Sequence, residues 1–290
     1  MPPFRSTHRQ IRMVDWSQVK ASFIWAYEAA IPAEFHDRRD HLPGLSALLI
    51  RAGSLRIETE DGVREAREGQ WIFPHQGERR QLIAPGTEVI SLHFHLTWVG
   101  GRPVFDWPVA LVLDAANHPL LEKKARHLIQ KVNRLMPDAH AALPWMETSI
   151  ETHFRIQPSF AAWLCAFVEV MTQTGHEPSR LVGMDERTFR AVTILDEIPI
   201  GALVPEKELA KRVGTSLSQL NRLFVAEFGV TPTQYQDRKK ITHARYLVSA
   251  GALSIKQIAY ELGFASLPAF SRWFRQKTGS SPRTYQQGPA

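Results

Sequence analysis

The stretch Leu209-Ala210-x-x-Val213-Gly214-x-Ser216-x-x-x-Leu220-x-Arg222-x-Phe224, closing on Gly229-x-Thr231-Pro232-x-x-Tyr235, occurs twice in this chain. The second copy reads Ile258-Ala259-x-x-Leu262-Gly263-x-x-Ser266-x-x-x-Phe270-x-Arg272-x-Phe274, closing on Gly279-x-Ser281-Pro282-x-x-Tyr285. The offset is 49 residues before the turn and 50 after it, so the second turn is one residue longer. Glu206 to Val213 and Ile255 to Leu262 have helical periodicity, and small Ala210 and Ala259 let a second helix cross closely. Gly214 and Gly263 supply the sharp turn, and Ser216 and Ser266 are N-caps for the next helix. Leu220, Leu223 and Phe224 share one face of it, as do Phe270, Trp273 and Phe274. Thr231-Pro232 and Ser281-Pro282 each open a further helix, as cap plus proline at the first position. Helix, glycine turn and capped helix make a helix-turn-helix, whose second helix enters the DNA major groove.

The signature Gly263-Phe264, Phe270-Ser271-Arg272, Phe274, Gly279, Ser281-Pro282 and Tyr285 resembles the AraC/XylS family of bacterial transcription regulators over residues 185–287. The resemblance implies two such units joined by a long helix, about Pro232 to Ala250, and double-stranded DNA as partner. It places Ser218, Asn221 and Arg222 at bases or backbone. Leu217 and Gln219 project from the same helix, and Asn or Gln pairs with adenine as Arg does with guanine. In the second unit the equivalents are Pro268, Ser271 and Arg272, with Arg275 and Lys277 near phosphates. Leu267-Pro268-Ala269 departs from a first turn that is usually more polar, so a looser contact is expected there. Lys239 and Lys240 on the joining helix are expected at phosphates, with the recognition helices about one DNA turn, roughly 34 Å, apart.

Charge placement agrees. Residues 185–290 hold fifteen Lys+Arg against nine Asp+Glu, the whole excess of a chain whose net charge is +6. That is an electrostatic footprint for nucleic acid beside a neutral partner domain. The lone cysteine, Cys165, excludes an internal disulfide and suits a reducing compartment. The run Phe160 to Met171 is too short to span a membrane and contains Glu169, and Met1 to Trp16 has no apolar signal core. A cytoplasmic location is expected.

Residues 1–118 read differently. Ser22–Tyr27, Leu45–Ile50, Leu55–Thr59, Trp71–Pro74, Gln81–Ala84 and Glu88–Leu96 are short strands punctuated by Asp61-Gly62, Glu68-Gly69 and Pro85-Gly86. Gly53 to Gly77 resembles a cupin jelly roll, the usual sensor domain of AraC-type regulators. The fold expected is therefore α+β in two domains: a cupin-like β-barrel with linker helices, then an all-α domain with two helix-turn-helix units. The divisions are a ligand-sensing domain with an N-terminal arm at 1–118, a helical dimerisation or linker region at 119–184, and the DNA-binding domain at 185–290. In the middle region, helices are expected over Leu120–Leu135, Trp145–Ile156 and Ser159–Gln173, the last pair divided at Pro158. The stripe Leu164, Phe167, Val168 and Met171 either pairs two subunits or packs on its own barrel.

His93 and His95 share a strand face with Val89 and Ser91. With His36, His41 or His75 they would make a nitrogen-rich metal site; otherwise they line a polar pocket or face solvent. Cupin enzymes place histidines and a glutamate at fixed spacings, but Arg80 sits where a later histidine would fall, so neither metal nor other cofactor is expected. The candidate ligand residues are His36, Trp71, Phe73, His75, Arg80, His93 and His95, with a sugar as the ligand class because aromatic faces suit sugar rings. The leading function is a ligand-responsive regulator without enzymatic activity, acting as a homodimer on a promoter, with RNA polymerase as a further candidate partner. The alternatives are a regulator governed by a protein partner and a cupin-type enzyme with a DNA-binding tail.

Overall fold

The computed structural model describes residues 16–40, 44–137, 139, 143, 146–179, 184–251 and 253–287. The expected arm up to residue 15, the metal candidate His41 and the helix start at Trp145 lie outside these residues.

Among the described residues, nine strands form two antiparallel sheets. They are β1 (Val19–Ala30), β2 (Asp37–Asp40), β3 (Leu45–Ala52), β4 (Ser54–Thr59), β5 (Gly62–Arg67), β6 (Gln70–Pro74), β7 (Arg79–Ile83), β8 (Glu88–Trp98) and β9 (Ala110–Asp114). One sheet runs β1-β8-β3-β6-β9 and the other β2-β7-β4-β5. They stack as a sandwich of two separate sheets, not a closed barrel. Leu48, Ile50, Ile72 and Val89 of the first meet Leu55, Ile57, Ala66 and Ile83 of the second. Three strands were not among those expected: β2 is Asp-Arg-Arg-Asp, β5 is Gly-Val-Arg-Glu-Ala-Arg and β9 is Ala-Leu-Val-Leu-Asp. All three are edge strands, fixed by one neighbour each in their sheets, β7, β4 and β6.

The opposite face of the larger sheet is covered by α1 (Pro119–Leu135) and α2 (Ile150–Gln173). Phe94 of β8 meets Trp163 at 4.9 Å and Phe167 at 5.4 Å, while Phe73 of β6 meets Phe167 at 5.5 Å. Each such aromatic pair adds about 0.5–1.5 kcal/mol beyond its area burial. The stripe containing Phe167 and Met171 therefore packs on its own sheet. α2 is one helix and does not break at Pro158. A proline here removes the bond to the carbonyl of Phe154, on an exposed residue of the helix.

Seven helices follow: α3 (Glu186–Glu197), α4 (Glu206–Arg212), α5 (Leu217–Phe228), α6 (Pro232–Ala250), α7 (Ile255–Glu261), α8 (Leu267–Thr278) and α9 (Pro282–Gln287). Asp185 caps α3 through Arg187 N, and its carboxyl is pulled down to about 2, first by the Arg187 side chain. One apolar cluster joins α3, α4, α5 and the start of α6; another joins the rest of α6 to α7 and α8. The two units touch where the α3–α4 loop meets the α7–α8 turn. A Cβ on Gly263 would lie 2.6 Å from the Gly201 carbonyl oxygen, and Gly263 has φ +75°. Gly263→Ala is expected to destabilise by at least about 1 kcal/mol, as alanine does at a positive φ. Urea unfolding followed by far-ultraviolet circular dichroism checks it.

Candidate nucleic-acid interface and sensor site

The first helix-turn-helix is α4, the turn through Gly214 at φ +72°, and α5, whose N-cap Ser216 accepts from Gln219 N. Leu220 and Phe224 are buried inward, which turns Ser218 and Arg222 outward as exposed residues, with Leu217 and Gln219 half-buried. Gln219 Oε1 accepts from Arg222 Nη2 at 2.7 Å, one helical turn apart, so the amide orients the guanidinium. Asn221 is placed differently. Its Nδ2 donates to Glu206 Oε2 at 3.1 Å, and Glu206 Oε1 accepts from Thr233 N at 3.0 Å. Burial alone would raise the Glu206 carboxyl, but these bonds outweigh it and hold the group low. Asn221 thus ties α5 to α4 and, through Glu206, to the start of α6.

The two lysines of the joining helix are also committed inward. Lys239 Nζ donates to the Leu195 carbonyl at 2.7 Å and to Asp196 Oδ1 at 3.1 Å. Lys240 Nζ lies 4.3 Å from the Phe264 ring centroid and 5.9 Å from that of Trp273. Burial lowers its pKa. Both lysines are thus engaged within the domain, Lys239 by Asp196 and the Leu195 carbonyl and Lys240 by two aromatic faces. In the second unit, Pro268, Arg272 and Arg275 are exposed and Ser271 is half-buried on α8. Arg272 and Arg275 make no ion pair among the described residues, whereas Lys277 pairs with Asp237 at 2.8 Å.

The sensor candidates divide between faces. Trp71 and Phe73 are fully buried on the helix-covered face of the large sheet, so they are core and not ligand contacts. Arg80 points outward and makes a bidentate pair with Asp37, at 2.8 and 2.6 Å. His36 faces the Ile31 carbonyl at 3.2 Å, and His75 faces the Trp107 carbonyl at 2.7 Å. Those five residues do not converge. His93 and His95 do belong together, on the face of β8 that looks toward the small sheet.

The register brings Ser46 and Trp25 beside His93, and Tyr27 and Leu48 beside Ser91. His93 Nδ1 is 3.0 Å from Ser46 Oγ, Trp25 stacks on His93 at 4.4 Å, and Trp25 Nε1 donates to Ser91 Oγ at 3.2 Å. From the small sheet, Gln81 pairs with inward Ile57 on one side and with Arg38 on the other. Burial raises the Tyr27 pKa, against the Ser91 hydrogen bond and the Arg38 charge, and burial lowers that of His95. The inter-sheet layer is thus aliphatic at one end and polar at the other. Trp25, Tyr27, Ser46 and Gln81 were not singled out from sequence, although Trp25 and Tyr27 do show the alternation of a strand face. Among the described residues no group of three or more His, Cys, Asp and Glu gathers as a metal site.

These features define a two-domain protein with a tandem helix-turn-helix at its C-terminal end. The profile described as "Helix-turn-helix domain" matches residues 209–288. The chain is 31% identical over 108 residues to the HTH-type transcriptional regulator GbdR of Pseudomonas aeruginosa, covering 37% of this chain and 29% of that protein. It is 36% identical over 80 residues to the HTH-type transcriptional activator RhaS of Escherichia coli O139:H28, covering 28% of this chain and 29% of that protein. The match therefore spans under a third of the length of these relatives. The crystal structure of ToxT from Vibrio cholerae O395 superposes with TM-score 0.49 at 14% identity, over 93% of this chain and 97% of that one; that score is too low to decide anything about function. The tandem domain is thus similar to the helix-turn-helix part of bacterial HTH-type transcriptional regulators. No helix among the described residues is long and apolar enough to cross a membrane.

Lys239 and Arg275 separate structural from interfacial charge. Lys239→Ala is expected to cost about 1–3 kcal/mol of stability, since it strips a charge-assisted partner from Asp196, and to leave the salt dependence of DNA binding unchanged. Arg275→Ala should leave stability within about 0.5 kcal/mol and reduce the salt slope by about 1. Denaturant unfolding and binding titrations at several salt concentrations test both.

Proposed function

We propose that the protein is a sequence-specific DNA-binding transcription regulator whose N-terminal domain receives a small-molecule effector. The carrying observation is the pair of capped helix-turn-helix units joined by α6 and fixed against each other at Gly201 and Gly263. Two units held this way suit successive major grooves. The basic balance of residues 185–290 supports the same reading. In the first unit, Arg222 steered by Gln219 is the group suited to guanine, with Ser218 beside it. In the second, Arg272 and Arg275 suit phosphate and Pro268 offers shape, so this unit grips more than it reads.

The effector reading rests on the polar end of the inter-sheet layer. Tyr27, Ser46, Ser91, His93 and His95 of one sheet, with Gln81 and Arg38 of the other, offer hydroxyl, imidazole, amide and guanidinium groups beside the Trp25 face. This mixture fits a polyhydroxylated ligand such as a sugar. The regulator acts in the cytoplasm and carries no catalytic role in this reading. A second copy is the partner a repeated operator would require, and exposed Ile150 and Phe154 on α2 offer it apolar surface. RNA polymerase enters as the downstream partner of a promoter-bound regulator.

Selection of random duplex DNA by the full-length protein should recover two blocks about one helical turn apart. Arg222→Ala is expected to lose about 1–3 kcal/mol and relax preference in one block only. No enrichment at low or moderate salt would refute the regulator reading. A thermal-shift screen of sugars and related polyols should find stabilisation that His93→Ala abolishes; a stabilising compound indifferent to His93→Ala would place the effector elsewhere.

A further inference from the structure

Strand β8 ends at Trp98, against the first helix-turn-helix unit. Beyond Trp98 the chain turns through Val99, Gly100 and Gly101, and this turn enters the first helix-turn-helix unit. Val99 is buried in the cluster formed by Ala191, Val192 and Leu195 of α3 with Leu220 and Phe224 of α5. Gly100 N donates to Asp196 Oδ2 at 3.1 Å. A Cβ on Gly100 would lie 2.9 Å from the Phe228 ring and 3.2 Å from Val192. Arg102, next along, reaches Glu227 at 3.3 Å, and Lys20 of β1 reaches Asp196 at 3.7 Å.

We propose that the Val99–Gly101 turn is a docking element that completes the core of the first helix-turn-helix, so that DNA reading by α5 depends on the sensor domain being seated. The proposal rests on the regulator reading for its consequence at DNA, but not for the docking itself. Three observations carry it. The apolar cluster of the first unit takes a residue from the sensor domain, while that of the second unit takes its residues from positions 200 to 285. The Asp196 carboxylate that receives Gly100 also receives Tyr235 and Lys239, so the turn bears on the joint between α3 and α6. The same strand, a few residues earlier, carries Ser91, His93 and His95 of the polar layer. The ion pairs flanking the turn are half-exposed and contribute little each, which leaves the close fit of Gly100 as the discriminating contact.

The two adjacent glycines supply a matched test in the full-length protein. Both have positive φ, +88° at Gly100 and +73° at Gly101, so alanine strains either backbone. Only at Gly100 does the added methyl meet the helices; at Gly101 nothing lies within 4 Å. Hydrogen exchange of wild type, Gly100→Ala and Gly101→Ala should show amides of α3 and α5 exchanging at least tenfold faster in Gly100→Ala than in Gly101→Ala. Amides of α7 and α8 should match in all three, which also reports that the chain is folded. In DNA selection, Gly100→Ala should lose the block read by the first unit and keep the second. Equal exchange in the two variants overturns the docking, whether or not the protein binds DNA. Faster exchange with an unchanged two-block motif overturns the dependence of DNA reading on it. Wild type that selects no motif removes the regulator reading, and the exchange comparison still decides the docking.

Discussion

Asp196 is the group on which the arrangement of this molecule turns. Its side chain is only 13% exposed, and a carboxylate so withdrawn from water is costly unless every lone pair is met. Four donors from three parts of the chain converge on it: Tyr235 OH at 3.0 Å and Lys239 Nζ at 3.1 Å from α6, Gly100 N at 3.1 Å from the sensor turn, and Lys20 Nζ at 3.7 Å from β1. Burial, reinforced by the Asp196 charge, raises the Tyr235 phenol, so it stays a neutral donor. One residue at the end of α3 thereby fixes where the joining helix begins and where the sensor domain sits. The recognition helix is held within this frame.

The duplicated units have diverged along the line of that frame. In the first, polar residues of the recognition helix are partly spent on orientation: Asn221 on Glu206, and Gln219 on Arg222. In the proposed reading, such preorganisation would lower the entropy cost of a base contact, because the guanidinium is already held by Gln219. In the second unit the equivalent helix begins with Leu267 and Pro268, and its exposed arginines have no such guides. A mobile cation attracts phosphate as well as an ordered one does, but it discriminates bases poorly. Reading is thus expected to concentrate in the unit that the sensor domain touches.

Much of this was legible in the sequence. Periodicity, caps and glycine turns placed the two units, because each signal is local and the copies corroborate one another. The strands from Leu45 to Leu96, β5 excepted, were legible for the same reason. What escaped was set by neighbours distant in the chain. Asp-Arg-Arg-Asp at 37–40 becomes a strand only because β7 lies beside it. Pro158 lies inside a helix that continues unbroken from Ile150 to Gln173. Lys239 and Lys240 read as phosphate ligands, and only the fold brings Asp196 and the Phe264–Trp273 pair against them. For the sensor candidates, the strand alternation separated the two faces of β8 correctly, but it could not say that Trp71 and Phe73 lie on the helix-covered side of their own strand.

β8 is where these threads meet. Its two faces have different solvents: Phe94 and Leu96 enter the aromatic layer under α2, while Ser91, His93 and His95 face the small sheet. A ligand that rearranged the second face would act on a strand whose first face is packed among large aromatic side chains. Close packing of that kind resists sideways displacement, so the freer response is at the ends. One end pairs Glu88 with Ala30 of β1; the other is the turn seated in the first helix-turn-helix. A strand rigid in its middle and docked at its tip transmits by changing how well the tip fits. At Gly100 an added Cβ would lie 2.9 Å from the Phe228 ring and 3.2 Å from Val192, so the proposed coupling would be felt first at this contact.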